Sequence, residues 1–287
     1  MSTADAKRPH CAACGSTRTS LLTTLPLYIR DGEIRTDLRR CDDCATIWRD
    51  TDFNEVIRQG HFDVASYTDP SREAQWRHQR LGFLAWILQL AHAQPTVPST
   101  GARLCDVGCA FGSLLELAAA RGDIVTGVEI VDSLRSHVRA LNYTVHRSID
   151  DVPLTPPFDI ISTIDNFYYL NDPAATLRAF HARLAAHGVL VMRIVNRTPL
   201  LRLRQWLRLS ITDALVGDAK YNFSYRGILC LLRDTGYEVI CVRQHERGRR
   251  GQPFRKWLYY RLAPLAGWLT RRQLGPGLAL ICRPVER

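Results

Sequence analysis

The chain has 287 residues, enough for one large domain with ample core, or a domain plus a small module. An apolar fraction of 46% and a charged fraction of 23% are ordinary for a globular protein. The longest apolar stretch, residues 81–93, is too short to span a bilayer and contains Gln89 and His92. The net charge of +10 is uneven: residues 1–192 carry 19 Lys and Arg against 22 Asp and Glu, whereas residues 193–287 carry 19 against 6. The basic C-terminal third therefore calls for an anionic partner.

The opening MSTADAKRPH lacks an apolar region, so no secretory signal is expected, and nine cysteines then fit a reducing, cytoplasmic setting. Cys11-Ala-Ala-Cys14-Gly15 and Cys41-Asp-Asp-Cys44 form two C-x2-C knuckles separated by 26 residues. Such spacing places four thiolates around one zinc, with Gly15 permitting the tight turn after the second. Residues 21–27 and 28–35 read as short strands joined at Asp31-Gly32. Residues 1–50 thus read as a zinc-ribbon-like module, where the metal supplies folding energy that a small core lacks. Four thiolates leave no open position, so the zinc is expected to be structural; redox-active or free cysteines are the alternative.

Residues 51–100 read as linker and lid helices. Phe62, Tyr67 and Trp76 lie in a polar aromatic stretch, an amphipathic run follows over 77–93, and PTVPSTG marks a boundary. Residues 103–129 then give a strand, a glycine turn, a helix and a second strand ending on Glu129. Gly108 and Gly112, with small Ala110 between them, let a ligand lie against the backbone at the helix N-terminus. Glu129 is placed to accept hydrogen bonds from both hydroxyls of a ribose. Asp106 would repel a pyrophosphate but suits a ligand bearing an amino group.

The run DVGCAFG, with Glu129 to follow, resembles the first motif of the class I S-adenosylmethionine (SAM)-dependent methyltransferases, commonly [DE]-x-G-x-G-x-G. Ala110 stands at the middle glycine. The resemblance implies a Rossmann-like α/β fold over residues 101–287: a seven-stranded methyltransferase sheet with helices on both faces. It implies Asp106, Gly108, Ala110, Gly112 and Glu129 as cofactor-binding residues and Tyr67 as a lid residue. Near the adenine, Ser148 takes the place of the family's acid, Ile149 packs on the ring, and Asp150 is the substitute polar contact. The strand 158–165 resembles the family's fourth, bringing Asp165 to the cofactor and the segment DNFYYLNDP to the active site, with Tyr169 where many relatives carry a histidine.

Asp172-Pro173 opens a helix that His187-Gly188 is expected to stop at 186, ahead of a strand over 189–195. Residues 220–224 resemble the segment leading into a substrate-side helix over 224–235, followed by a strand over 236–242 and a last, antiparallel strand over 276–283. Tyr168, Tyr169 and Tyr221 are the titratable catalytic candidates, with packing as the alternative. Two basic amphipathic helices, 199–216 and 254–274, depart from a minimal methyltransferase. The second has Pro264 as an expected kink and the composition of an interfacial helix.

The expected function is methyl transfer to a small-molecule acceptor: a sugar, a natural product or a lipid-linked intermediate. The alternatives are an RNA methyltransferase, disfavoured because DNFYY is unlike the N-P-P-[FY] of base-amine enzymes, and a noncatalytic adaptor. The basic helices are expected either to contact an anionic membrane peripherally, or to pack on the protein's own core or close a lid, with their arginines solvated or facing an anionic soluble substrate.

Overall fold

The computed structural model describes residues 10–29, 32–52, 70–215, 219–244 and 254–285. Phe62, Tyr67 and the Asp31 half of the Asp31-Gly32 turn lie outside the described residues. The strands in chain order begin with β1 (Thr19–Ile29), β2 (Gly32–Cys41) and β3 (Ile47–Arg49). They continue as β4 (Arg103–Val107), β5 (Ile124–Val128), β6 (Thr144–His146), β7 (Phe158–Ile164) and β8 (Leu184–Val195). Last come β9 (Tyr221–Asn222), β10 (Tyr237–Gln244) and β11 (Gly277–Pro284). The α-helices are α1 (Pro70–His92), α2 (Ser113–Ala120), α3 (Asp132–Ala140), α4 (Pro173–Arg183), α5 (Thr198–Trp206), α6 (Tyr225–Asp234) and α7 (Phe254–Thr270).

Seven strands form one mixed sheet in the order β10-β11-β8-β7-β4-β5-β6. Strands β4 to β8 run parallel, and β11 is antiparallel to both β8 and β10. Alternation along the strands divides the core. Leu104, Ile160, Val189, Val191, Ala279 and Ile281 face Leu84, Ile87 and Leu88 of α1, Leu115 of α2 and Val138 of α3. Their neighbours Cys105, Ile161, Leu190, Met192, Leu278 and Leu280 face Leu177 and Phe180 of α4 and Ile228, Leu231 and Leu232 of α6. Burial on both faces explains the near-continuous apolar runs of these strands. Truncating one such leucine to alanine costs about 2–5 kcal/mol.

A second sheet has the order β1-β2-β3-β9. Tyr28 belongs to its first strand, whereas the sequence placed it in the second. The sheet is completed from far along the chain: Ile47 pairs with Asn222 and Trp48 with Tyr221.

Three boundaries differ from expectation. Helix α4 ends at Arg183, not 186, because Leu184 turns extended (φ −82°, ψ 139°) and pairs with Phe158 at the start of β8. Gly188 lies in β8 instead, where a Cβ would come within 2.8 Å of the Phe158 carbonyl oxygen. Helix α5 stops at Trp206 because Arg208 turns left-handed (φ 55°), and a short 3-10 turn, Thr212–Ala214, follows. Helix α7 is seated through Tyr260 and Ala263, both buried, while Phe254, Leu262, Leu265, Trp268 and Leu269 are exposed. The apolar face read from the sequence is thus largely uncovered.

Candidate active site

Because β4, β5, β7 and β8 are parallel, Val107, Val128, Ile164 and Val195 end at one edge of the sheet. At that edge the loop leaving β4 alternates through left-handed conformations, with φ of 76° at Gly108, 48° at Ala110 and 78° at Gly112. Gly108 and Cys109 donate their amide hydrogens to the Val128 carbonyl at 2.7 and 3.1 Å, which hooks the loop over the end of β5. The Glu129 carboxylate spans the same gap, accepting from Ala110 N through Oε2 and from Val131 N through Oε1, both at 3.0 Å. Burial raises the Glu129 pKa, and these two N–H donors oppose the rise. Arg135 fixes the backbone behind it, donating to the Glu129 and Ile130 carbonyls.

Asp106 lies beneath the loop, its Oδ1 accepting from Ser162 Oγ at 2.7 Å. Burial pushes its carboxyl up to about 7, against the opposing Ser162 hydrogen bond. The next strand supplies Asp165, left-handed at φ 61°. Its carboxylate is paired with Arg80 of α1 and Arg193 of β8, so α1 is tied to the site. Asn166 donates to the Val107 carbonyl and accepts from Thr163 Oγ1. It occupies the space above Gly108, where an added Cβ would lie 2.7 Å from Asn166 Cγ. Both the φ and this contact require glycine.

Ser148 caps a 3-10 turn: Asp150 N donates to its Oγ, and its own N donates to Asp151 Oδ2 at 3.0 Å. Ile149 is buried behind it and Asp150 is exposed. Tyr168 and Tyr169 occupy a 3-10 turn after β7, ring centroids 4.7 Å apart. Tyr221, in β9, packs in the same core cluster beside this turn; its hydroxyl donates to the Asn171 carbonyl at 3.1 Å, and burial raises its pKa. The structure therefore gathers Asp106, Gly108, Ala110, Gly112 and Glu129 around one loop. Ser162, Asn166, Arg80, Arg193 and Arg135, which support them, were not picked out from the sequence.

A family profile described as Methyltransferase domain matches residues 75–265. The chain belongs to this methyltransferase family. Ubiquinone biosynthesis O-methyltransferase of Xanthomonas campestris pv. campestris is 32% identical over 123 residues, covering 39% of this chain and 51% of the relative. The protein of the same name from Haemophilus ducreyi is 28% identical over 111 residues, covering 34% and 47%. The chain thus spans about half the length of the curated relatives it matches. Among solved structures, a Haloferax volcanii complex of the Trm112 methyltransferase activator with a methyltransferase aligns at 16% identity with TM-score 0.50, covering 75% of this chain and 96% of the other. That likeness is one of fold.

The residues at this sheet edge fit SAM. The loop is built of small residues with Asn166 packed over Gly108, α2 begins directly after Gly112, and carboxylates stand at Asp106 and Glu129. A second centre lies in the N-terminal segment. The Sγ atoms of Cys11, Cys14, Cys41 and Cys44 are all within 4.8 Å of one another. Cys11–Cys44 and Cys14–Cys41 separations are both 3.6 Å. A zinc–sulfur bond of about 2.3 Å sets a tetrahedral edge of about 3.8 Å, so the spacing fits zinc. The knuckles are alike: Gly15 and Ala45 are left-handed (φ 71° and 66°) and donate to the Cys11 and Cys41 carbonyls.

Proposed function

We propose that the chain transfers the SAM methyl group to an oxygen of a small amphipathic acceptor. The observation that carries the reading is the Glu129 carboxylate closed onto the Gly108–Gly112 loop, a cradle with a diol acceptor at its rim. SAM supplies a methyl group on a sulfonium, ready for in-line displacement by an acceptor lone pair. The chain's own contribution is to hold the two reactants in line, so their entropy is lost on binding and not at the barrier. In this reading Glu129 accepts from the ribose hydroxyls, Asp106 faces the amino group, and the loop and α2 N-terminus take the carboxylate. Ile149 packs on the adenine beside Ser148 and Asp150. Asp165, held by two arginines, fixes the approach of α1 over the cofactor.

Tyr168 and Tyr169 are the proposed acceptor-side residues. Tyr221 is proposed as a positioning residue, since its hydroxyl is committed to Asn171 and burial opposes its ionisation. Zinc at the four cysteines is proposed as structural: Ser224 donates to the Cys44 carbonyl and caps α6, so the knuckle sets the start of that helix.

A small acceptor is supported by a cleft of about 880 Å³ at the same sheet edge, in the size range of small-molecule sites. The names of the relatives support oxygen as the methylated atom. A lipid-linked acceptor, met at an anionic membrane, is supported by Trp206 and Trp268 (79% and 76% exposed) on α5 and α7, whose arginines suit that surface. The leucines of the cleft favour such an acceptor over RNA. The test is methyl transfer from labelled SAM to hydroxylated amphiphiles and to RNA, with S-adenosylhomocysteine as coproduct; label appearing only in RNA would overturn the reading.

A further inference from the structure

We propose that the cleft between α5 and α7 recognises the acceptor through an anionic head, a phosphate or a carboxylate, joined to an apolar chain. This rests on the methyltransferase reading above and specifies its acceptor side. The cleft begins at Asn196, the residue after β8. That strand is two places from β4 in the sheet, so the cleft opens about 10 Å from the glycine loop at strand spacings near 4.8 Å.

Four exposed arginines line it: Arg202 of α5, Arg226 in the first turn of α6, and Arg271 and Arg272 beyond α7. No Asp or Glu is among the described lining residues. Arg226 also feels Asp43, a carboxylate engaged chiefly by Arg18 and Ser16. Four like charges around one concavity repel each other, and an anion between them relieves that repulsion. The positive end of the α6 dipole adds to the same field.

The backbone is shaped to keep the arginines there. Arg271 is left-handed at φ 53°, and Arg272 N donates to the Gly267 carbonyl at 2.9 Å. This folds the chain back so closely that a Cβ on Gly267 would lie 2.6 Å from the Arg272 oxygen. This left-handed turn is the C-terminal cap of α7, and it fixes where Arg271 and Arg272 leave the helix.

One further feature points to the rest of the ligand. Leu203, Leu258 and Leu262 form an apolar wall that is half exposed and leads outward from the arginines. At the inner end, Asn196 is 1% exposed, and its Nδ2 donates to the Gln273 and Gly275 carbonyls at 2.8 and 3.1 Å. That fixes the amide orientation and leaves Asn196 Oδ1 buried with no partner among the described residues. The cleft thus offers cations for an anion and leucines for a chain.

The test uses the whole chain with octyl phosphate below its micellar concentration, and compares inorganic phosphate and octyl glucoside. Calorimetry is expected to show octyl phosphate binding at least about tenfold tighter than either comparison. The Arg271→Glu/Arg272→Glu protein is expected to lose about tenfold or more for octyl phosphate. S-adenosylhomocysteine affinity and thermal midpoint should stay unchanged, showing that the variant folds. Octyl phosphate binding no tighter than either comparison, or unaffected by charge reversal, would overturn the proposal. Failure of S-adenosylhomocysteine to bind the parent would instead strike the cofactor site.

Discussion

Glu129 Oε2 accepts the Ala110 amide hydrogen at 3.0 Å, so the acid ending β5 sets the loop that leaves β4. In the proposed site, cofactor recognition and loop geometry therefore share one carboxylate. The loop holds Ala110 at φ 48°, where an L-residue is strained by about 1–2 kcal/mol. Ala110→Gly removes that strain but adds about 0.4–1 kcal/mol of unfolded-chain entropy. Denaturant unfolding is expected to show a stability gain of at most about 1.6 kcal/mol, with S-adenosylhomocysteine affinity retained. A clear loss of stability would show that Ala110 makes contacts that the φ does not reveal.

Asp106 gives the site a pH dependence. Burial raises its carboxyl to about 7, so the empty protein at pH 6 holds it mostly protonated. An ammonium group bound beside it favours the carboxylate, and binding then releases a proton. S-adenosylhomocysteine affinity should rise by up to about tenfold per unit as pH increases toward 7, then level off. Calorimetry in buffers of different ionisation enthalpy measures the released proton. Asp106→Asn should flatten the profile; an unchanged profile would remove Asp106 from contact with the amine.

What could be read from the sequence was mostly local. The DVGCAFG turn, Glu129, the two knuckles and the Asp172-Pro173 helix start each depend on residues a few positions apart. Asn166 is visible in DNFYY, but its place over Gly108 depends on the β4–β7 pairing. The ties from Arg80 and Arg193 to Asp165 likewise span 85 and 28 positions. Tyr221-Asn222 is too short to announce a strand, and its partner lies in the N-terminal sheet. Periodicity marked an apolar face on α7 without saying whether anything covers it.

Ser224 couples the cysteine centre to α6, since its Oγ accepts from Gly227 N at 2.8 Å while donating to the Cys44 carbonyl. Ser224→Ala should lower stability by about 1–2 kcal/mol through loss of the cap. Elemental analysis should give one zinc per chain in parent and variant alike. Protein purified without chelator that holds no zinc and has four free thiols would contradict a metal centre.

The exposed Trp206 and Trp268 predict peripheral binding to anionic membranes. In flotation at low salt, the parent should rise with anionic liposomes and not with neutral ones, and Trp206→Ala/Trp268→Ala should reduce the floating fraction. A parent that stays at the bottom with anionic liposomes would leave a freely soluble acceptor as the substrate.

The most direct test of the cofactor site is calorimetry of S-adenosylhomocysteine with the parent and with Glu129→Ala, each checked for folding by its melting curve. Loss of two hydrogen bonds from ribose hydroxyls to a carboxylate, at about 1.5 kcal/mol or more each, predicts binding weaker by at least about a hundredfold. Binding by a folded Glu129→Ala protein within a few fold of the parent would contradict the assignment of Glu129, and with it the site proposed around the glycine loop.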